Sequence, residues 1–207
     1  FYNIQTGSSY ANFQSGMYNT QSAYVGSFQT GGSNTQSGQY GLQFGAHASD
    51  EYNASADAWS HAFTHGGGRF TADGDAQNMR FVLRRQISHG NTNWTALAID
   101  GSGRLVVPID SLWTFRALVA GMTGGMTQGG GKAFSYIIEG CIENDGGTTA
   151  VHAAAVTAVH EDDSNFECRV ATDANDDLQI QVRDAAAGGD TVRWVASVDA
   201  TQVKYAA

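Results

Sequence analysis

The sequence predicts an all-β protein in two parts. An N-terminal β-repeat, built as a β-roll or as an intertwined trimeric stalk, precedes an antiparallel β-sandwich of jelly-roll-like kind. Three observations predict this. The stretch LWTFRALVAGMT (112–123) alternates, with Trp113, Phe115, Ala117 and Val119 on one face and Thr114 and Arg116 on the other, and later stretches repeat the pattern. Residues 1–68 hold no Lys or Arg, yet carry six of the eight Tyr and five of the ten Phe. The chain has 26 Gly and one Pro, with turn signals throughout and no capped helical periodicity.

The first region reads as a repeat of fifteen residues: TGSSYANFQSGMYNT from Thr6, QSAYVGSFQTGGSNT from Gln21, QSGQYGLQFGAHASD from Gln36 and EYNASADAWSHAFTH from Glu51. The sixth position is always small (Ala11, Gly26, Gly41, Ala56), and an aromatic follows two or three places later (Phe13, Phe28, Phe44, Trp59). Periodic small and aromatic residues suit a stacked β-coil, whose rungs gain stability from their neighbours. A rung this short encloses little core within one chain, which favours chains wound together. The competing reading is a Gln/Ser/Gly/Tyr-rich low-complexity segment. No heptad survives, so a coiled coil is excluded. The repeat spans 1–68, a connector 69–78, and the head 79–207.

The head is strand after strand. Met79, Phe81 and Leu83 point inward in the first, and TNWTALAID follows. Asp100-Gly101 and Ser102-Gly103 mark a hairpin turn, and Pro108 stops ladder pairing after GRLVVP. Beyond the central stretch, a Gly-rich tip (124–131) leads into KAFSYIIEGCIEN, where Phe134, Tyr136, Ile138 and Ile142 share a face. NDGG (144–147) turns into the small-residue strand TTAVHAAAVTAVH. NFECRVAT places Phe166, Cys168 and Val170 together, LQIQVRD places Leu178, Ile180 and Val182, and TVRWVASVDATQV places Val192, Trp194, Ala196 and Val198. About nine strands at this spacing point to a sandwich.

Composition narrows the function. A net charge of −9 disfavours nucleic acid, since phosphate neutralisation needs Lys and Arg. No apolar run reaches the ~18–20 residues of a membrane span. The chain starts at Phe1 with no Met and no signal-like segment, so a longer or processed polypeptide is expected. Strand parity points Cys168 inward and Cys141 outward beside Glu139 and Glu143, which disfavours a disulfide.

Two segments carry a family resemblance. GAHASDEYNASADAWSHAF (45–63) resembles the Ser-His-Ala-x-Gly and Ala-Ser-Gly repeats of phage tail-fibre proteins, through His47-Ala48 and Ser60-His61-Ala62; Phe63-Thr64 replaces the expected Gly. GDAQNMRFVLRR (74–85), DGSGRLVVP (100–108), SLWTFRALVAG (111–121), Glu139-Gly140 and TVRWVASVDATQV (191–203) follow in the order of a C-terminal domain of phage tail-fibre and tailspike-like proteins. The tip departs from the family, with GGMTQGGG where charged residues are usual. The resemblance implies a virion protein, a homotrimer, contact with other virion proteins, and adhesion to a glycan or protein of the host surface. It implies no enzyme by itself.

The residues are weighed for chemistry separately. His61 and His65 have Zn-like spacing only on a helix, which is not expected here, and with His47 they read as polar rung residues. DANDD (173–177) lacks the Gly and distal Glu of a calcium loop and reads as a turn. Glu139 and Glu143 on one strand face stand about 13 Å apart, too far for a glycosidase pair. No nucleophile elbow, phosphate loop or Cys/His ligand set occurs, so no catalytic residue, metal or cofactor is expected. Tyr10, Tyr18, Tyr24, Tyr40 and Trp59 suit either sugar stacking or packing between rungs, with packing favoured. The candidate ligand-binding residues are Met126, Thr127 and Gln128 in the tip, with Trp59 and Tyr40. A purely structural virion component and the terminal domain of a polysaccharide depolymerase remain as alternatives.

Overall fold

The structure, a computed structural model, describes residues 3–5, 13–21, 28–36, 42–46, 62–72, 74–88, 90–99, 103–124, 131–185 and 191–205. Among the described residues every regular element is a strand. The repeat contributes two parallel ladders. One is β1 (Ile4–Gln5), β3 (Thr20–Gln21) and β5 (Thr35–Gln36); the other is β2 (Phe13–Met17), β4 (Phe28–Gly32), β6 (Leu42–Ala46) and β7 (Ala62–Gly67). Successive rungs of one chain pair in parallel, as in a β-roll.

The inside of this coil is amide, not aromatic. Gln29 and Gln43 are buried between the ladders. Gln14 Nε2 donates to Gln29 Oε1 (3.0 Å), and Gln29 Nε2 to Gln43 Oε1 (2.7 Å). The same nitrogens reach the short ladder, Gln29 to Thr20 O (3.1 Å) and Gln43 to Thr35 O (2.8 Å). A second file turns the corner: the Asn34 amide N donates to Asn19 Oδ1 (3.1 Å), and Asn34 Nδ2 to Thr30 O (3.1 Å) and Gly45 O (3.2 Å). A primary amide suits such a column because it can donate to one rung while accepting from the next. The phenylalanines stack along the flank, Phe13 on Phe28 at 4.9 Å, Phe28 near Phe44 at 5.8 Å and Phe44 near Phe63 at 5.4 Å.

Strict fifteen-residue spacing does not persist. Phe28 pairs with Phe13, but its next partner is Leu42, with Phe44 diagonal to it, and Leu42 then pairs with Phe63. The fourth rung is therefore Ala62–Gly67, displaced from the frame that centred it on Trp59. Residues 47–61 lie outside the described residues.

A turn on Asp75 reverses the chain. Its buried carboxylate accepts the N–H of Phe70 (3.0 Å), Thr71 (2.6 Å) and Ala72 (2.9 Å). Burial works to raise its pKa, but these bonds outweigh it and hold the carboxyl below the usual range. β8 (Ala76–Ser88) then pairs antiparallel with β7, so the parallel ladder runs straight into the head. The head's other long strands are β11 (Ser111–Thr123), β12 (Ala133–Asp145), β13 (Thr148–Glu161) and β16 (Thr191–Lys204). Together they make one nine-stranded sheet, ordered β13-β12-β11-β16-β8-β7-β6-β4-β2. This differs from a wholly antiparallel jelly roll with strands shared between two sheets: all five long strands lie in one mixed sheet. The second layer is small: β9 (Thr95–Ala96), β10 (Leu105–Val106), β14 (Phe166–Ala171) and β15 (Asp177–Asp184), with β14 on one edge of β15 and β9 and β10 on the other.

The core lies between the layers, and its inward residues are those the alternation picks out. Phe81, Leu83, Trp113, Ala117, Ile138, Ile142, Val192 and Trp194 meet Phe166, Leu178, Ile180 and Val182. Phe134 stacks on Phe166 at 4.0 Å and tilts onto Trp194 at 4.4 Å. Gly121 makes room for this cluster: a Cβ there would stand 1.9 Å from the Phe134 ring. Burial pushes the Cys168 thiol up to about 12, and both cysteines are free.

Candidate functional site

Met126, Thr127, Gln128, Trp59 and Tyr40 all lie outside the described residues, as do Tyr10, Tyr24, His47 and His61. Tyr18 is exposed at the coil's edge, and His65 is exposed on β7. The tip's base is closed by Thr123 N donating to Lys132 O (3.0 Å), Lys132 N to Thr123 Oγ1 (2.8 Å), and a Lys132–Asp163 ion pair. DANDD forms a turn, with Asp173 accepting from Asn175 N at 2.8 Å and Asp176 at φ 60.

The structure assembles a polar surface elsewhere. β15 places Asp177, Gln179, Gln181 and Arg183 on the side away from the core, because Leu178, Ile180 and Val182 take the inner positions. β14 sets Glu167 opposite Arg183 and Arg169 opposite Gln181. The Trp94 ring, half-buried, lies 4.3 Å from the Arg169 guanidinium carbon and 4.5 Å from that of Arg183. Two cations against one indole fix the ring by cation–π attraction. Arg183 pairs with Glu167. The amides are chained: Arg169 Nε donates to Gln181 Oε1 (2.8 Å), Gln181 Nε2 to Gln179 Oε1 (2.6 Å), and Gln179 Nε2 to Asp173 Oδ2 (2.8 Å).

This file ends in a groove of about 210 Å³ where β9 and β10 diverge along the β15 edge. Thr95, Arg85, Arg104, Asp177 and Gln179 line it. Asp177 is 1% exposed. Its Oδ2 accepts from Arg104 Nη1 at 3.3 Å, while its Oδ1 is buried with no hydrogen-bond partner among the described residues. Burial, with the nearby Asp173 charge, lifts its carboxyl to about 6 against the pull of Arg104.

Sequence reasoning missed this surface. The alternation of Gln179, Gln181 and Arg183 was visible, but the cross-strand register that brings Arg169 and Trp94 beside them was not.

The large sheet offers a second surface, its outer face. There Arg80 pairs with Asp199 (2.5 Å) and Arg116 with Glu139 (3.5 Å), and the four stand in one cross-strand row. Val82, Leu118, Met122 and Val195 are exposed on the same face.

No protein-family model matches the chain, and no curated protein matches it. Among solved structures, it is similar to the tailspike protein gp49 of Acinetobacter baumannii bacteriophage Fri1, a capsular polysaccharide depolymerase, with TM-score 0.34, 11% identity, and 97% of this chain and 36% of that one covered. It is also similar to the tailspike of Acinetobacter phage vB_ApiP_P1 (TM-score 0.25, 13% identity, 98% and 47% covered). A third is the tailspike of Acinetobacter baumannii phage AM24 (TM-score 0.28, 8% identity, 98% and 48% covered). The chain spans less than half the length of each.

Proposed function

We propose that this chain is a phage fibre or adhesin protein of the virion tail, acting as a homotrimer without catalysis. On this reading the β-repeat is the shaft and the sandwich is the head that meets a glycan or protein of the host surface. The observation that carries it is the β7–β8 junction, where the parallel coil and the head's central sheet share one hydrogen-bonded ladder. A head joined through a ladder keeps a fixed orientation on its shaft, as multivalent attachment requires. The outer face of the large sheet, with aliphatic side chains exposed along its central strands, supports association between copies. The sequence resemblance to tail-fibre domains supports the virion setting.

The test uses the full chain. Labelled protein incubated with a panel of intact bacteria should coat the surface of at least one strain, and incubation with that strain's capsule should release no new reducing ends. Failure to coat any strain would favour a purely structural virion component, and release of reducing ends would overturn the non-catalytic reading.

A further inference from the structure

We propose that the outward face of β15, from the Trp94 ring to the Asp177 groove, is an oligosaccharide-binding strip. The assignment rests on the attachment reading above for the reason a glycan would meet this face; its chemistry stands on the side chains alone.

Trp94 supplies a flat apolar surface. The guanidiniums of Arg169 and Arg183, at 4.3 and 4.5 Å, hold the ring before any ligand arrives. A pre-set indole suits the C–H face of a pyranose, and pre-setting removes an ordering cost from binding.

The next two positions carry amides with unused capacity. Gln181 and Gln179 each accept one bond and donate one within the chain Arg169–Gln181–Gln179–Asp173. A primary amide has two N–H groups and two acceptor lone pairs, so each keeps one donor and one acceptor in a fixed direction. Sugar hydroxyls both donate and accept, and a donor–acceptor pair repeated along a strand is a match for them.

At the far end, Asp177 lines a groove with Thr95, Arg104 and Gln179, its Oδ2 accepting from Arg104 Nη1 at 3.3 Å. The groove's accessible partners for a sugar hydroxyl are the side chains of Thr95, Arg104 and Gln179. From Asp177 to Arg183 the strand rises about 20 Å, a length that suits several sugar units better than a single one. The positive groups are interleaved with Glu167, Asp173 and Asp177, which sets this strip apart from a phosphate-tracking surface.

The test measures binding of the full chain to malto-oligomers, N-acetylglucosamine oligomers, and galacturonate and mannuronate oligomers by saturation-transfer NMR and calorimetry. At least one class should bind. Trp94→Ala should weaken it about tenfold or more, as for loss of an aromatic anchor. Gln179→Ala should weaken it severalfold. Trp94→Phe, which keeps a ring, should retain most of the affinity, and unchanged melting of all three variants separates lost binding from lost fold. No binding across the panel, or binding that Trp94→Ala leaves intact, overturns the strip. The two readings can fail apart. If Trp94→Ala coats cells as well as the natural sequence, attachment stands and the strip falls. If oligomers bind through Trp94 but no cell is coated, the strip stands and the attachment reading falls.

Discussion

Two buried tryptophans on neighbouring strands differ by one hydrogen bond. Trp113 Nε1 donates to Gln202 Oε1 at 2.6 Å, and Gln202 Nε2 in turn donates to Gly74 O. Trp194 is as deeply buried, but its Nε1 has no acceptor among the described residues. Replacing either by Phe removes similar apolar area and an N–H. For Trp113 the change also strands the Gln202 carbonyl in the core, so Trp113→Phe should cost about 2–3 kcal/mol. For Trp194 the lost area is offset by removing an unsatisfied donor, so Trp194→Phe should cost about 1 kcal/mol or less. Urea unfolding of the two variants checks this, and equal losses would refute the assignment. The sequence placed both rings inward from strand alternation alone. It said nothing of their N–H partners, because those depend on Gln202 lying opposite Trp113 across β11 and β16.

Within the coil, close approach of rungs replaces side-chain packing. Gly16, Gly31 and Gly45 all have positive φ, and a Cβ on Gly31 would fall 1.7 Å from Gly45 O. Neither the dihedral nor the space admits a side chain. Gly31→Ala should therefore part the β4 and β6 rungs, at about 3 kcal/mol or more of local stability. Hydrogen exchange checks it: protection of the amides in 28–36 should fall about a hundredfold while β11 and β16 keep theirs. Equal loss everywhere would mean the coil and head unfold as one unit. The repeat was legible because rungs must stack at a near-constant spacing. What fills it was not: aromatics at a fixed period look like a core, yet Phe13 and Phe63 are exposed and Gln29 and Gln43 are buried. The fourth rung was placed out of frame, centred on Trp59, because the step from Leu42 to Phe63 is longer than the fifteen-residue period and no local residue signals where pairing resumes.

At the scale of the molecule, the described residues cover the large sheet on one face only. Its inner face meets the small sheet, but at the outer positions Val82, Leu118, Met122 and Val195 remain exposed on central strands. The row Arg80, Asp199, Arg116 and Glu139 on that face sums to zero, while Arg84 and Arg193 add exposed cations beside Val195 and Val82. β13 adds a fourteen-residue edge strand with no Lys, Arg or Pro to discourage pairing, and Val156 and Val159 are exposed along it. These features make the outer face and the β13 edge the places where copies of a homotrimer would meet. Leu118 is the residue to change, since it points outward and is half exposed: Leu118→Glu adds a charge at the centre of the face and leaves the inward residues of β11 as they are. Light scattering on a sizing column should give three chains for the natural sequence and one for Leu118→Glu, with the aromatic near-ultraviolet dichroism of the folded head unchanged. A variant that stays trimeric would move the contact to β13 or the coil. A natural sequence that runs as a single chain would end the trimer proposal, leaving the exposed face to a different partner.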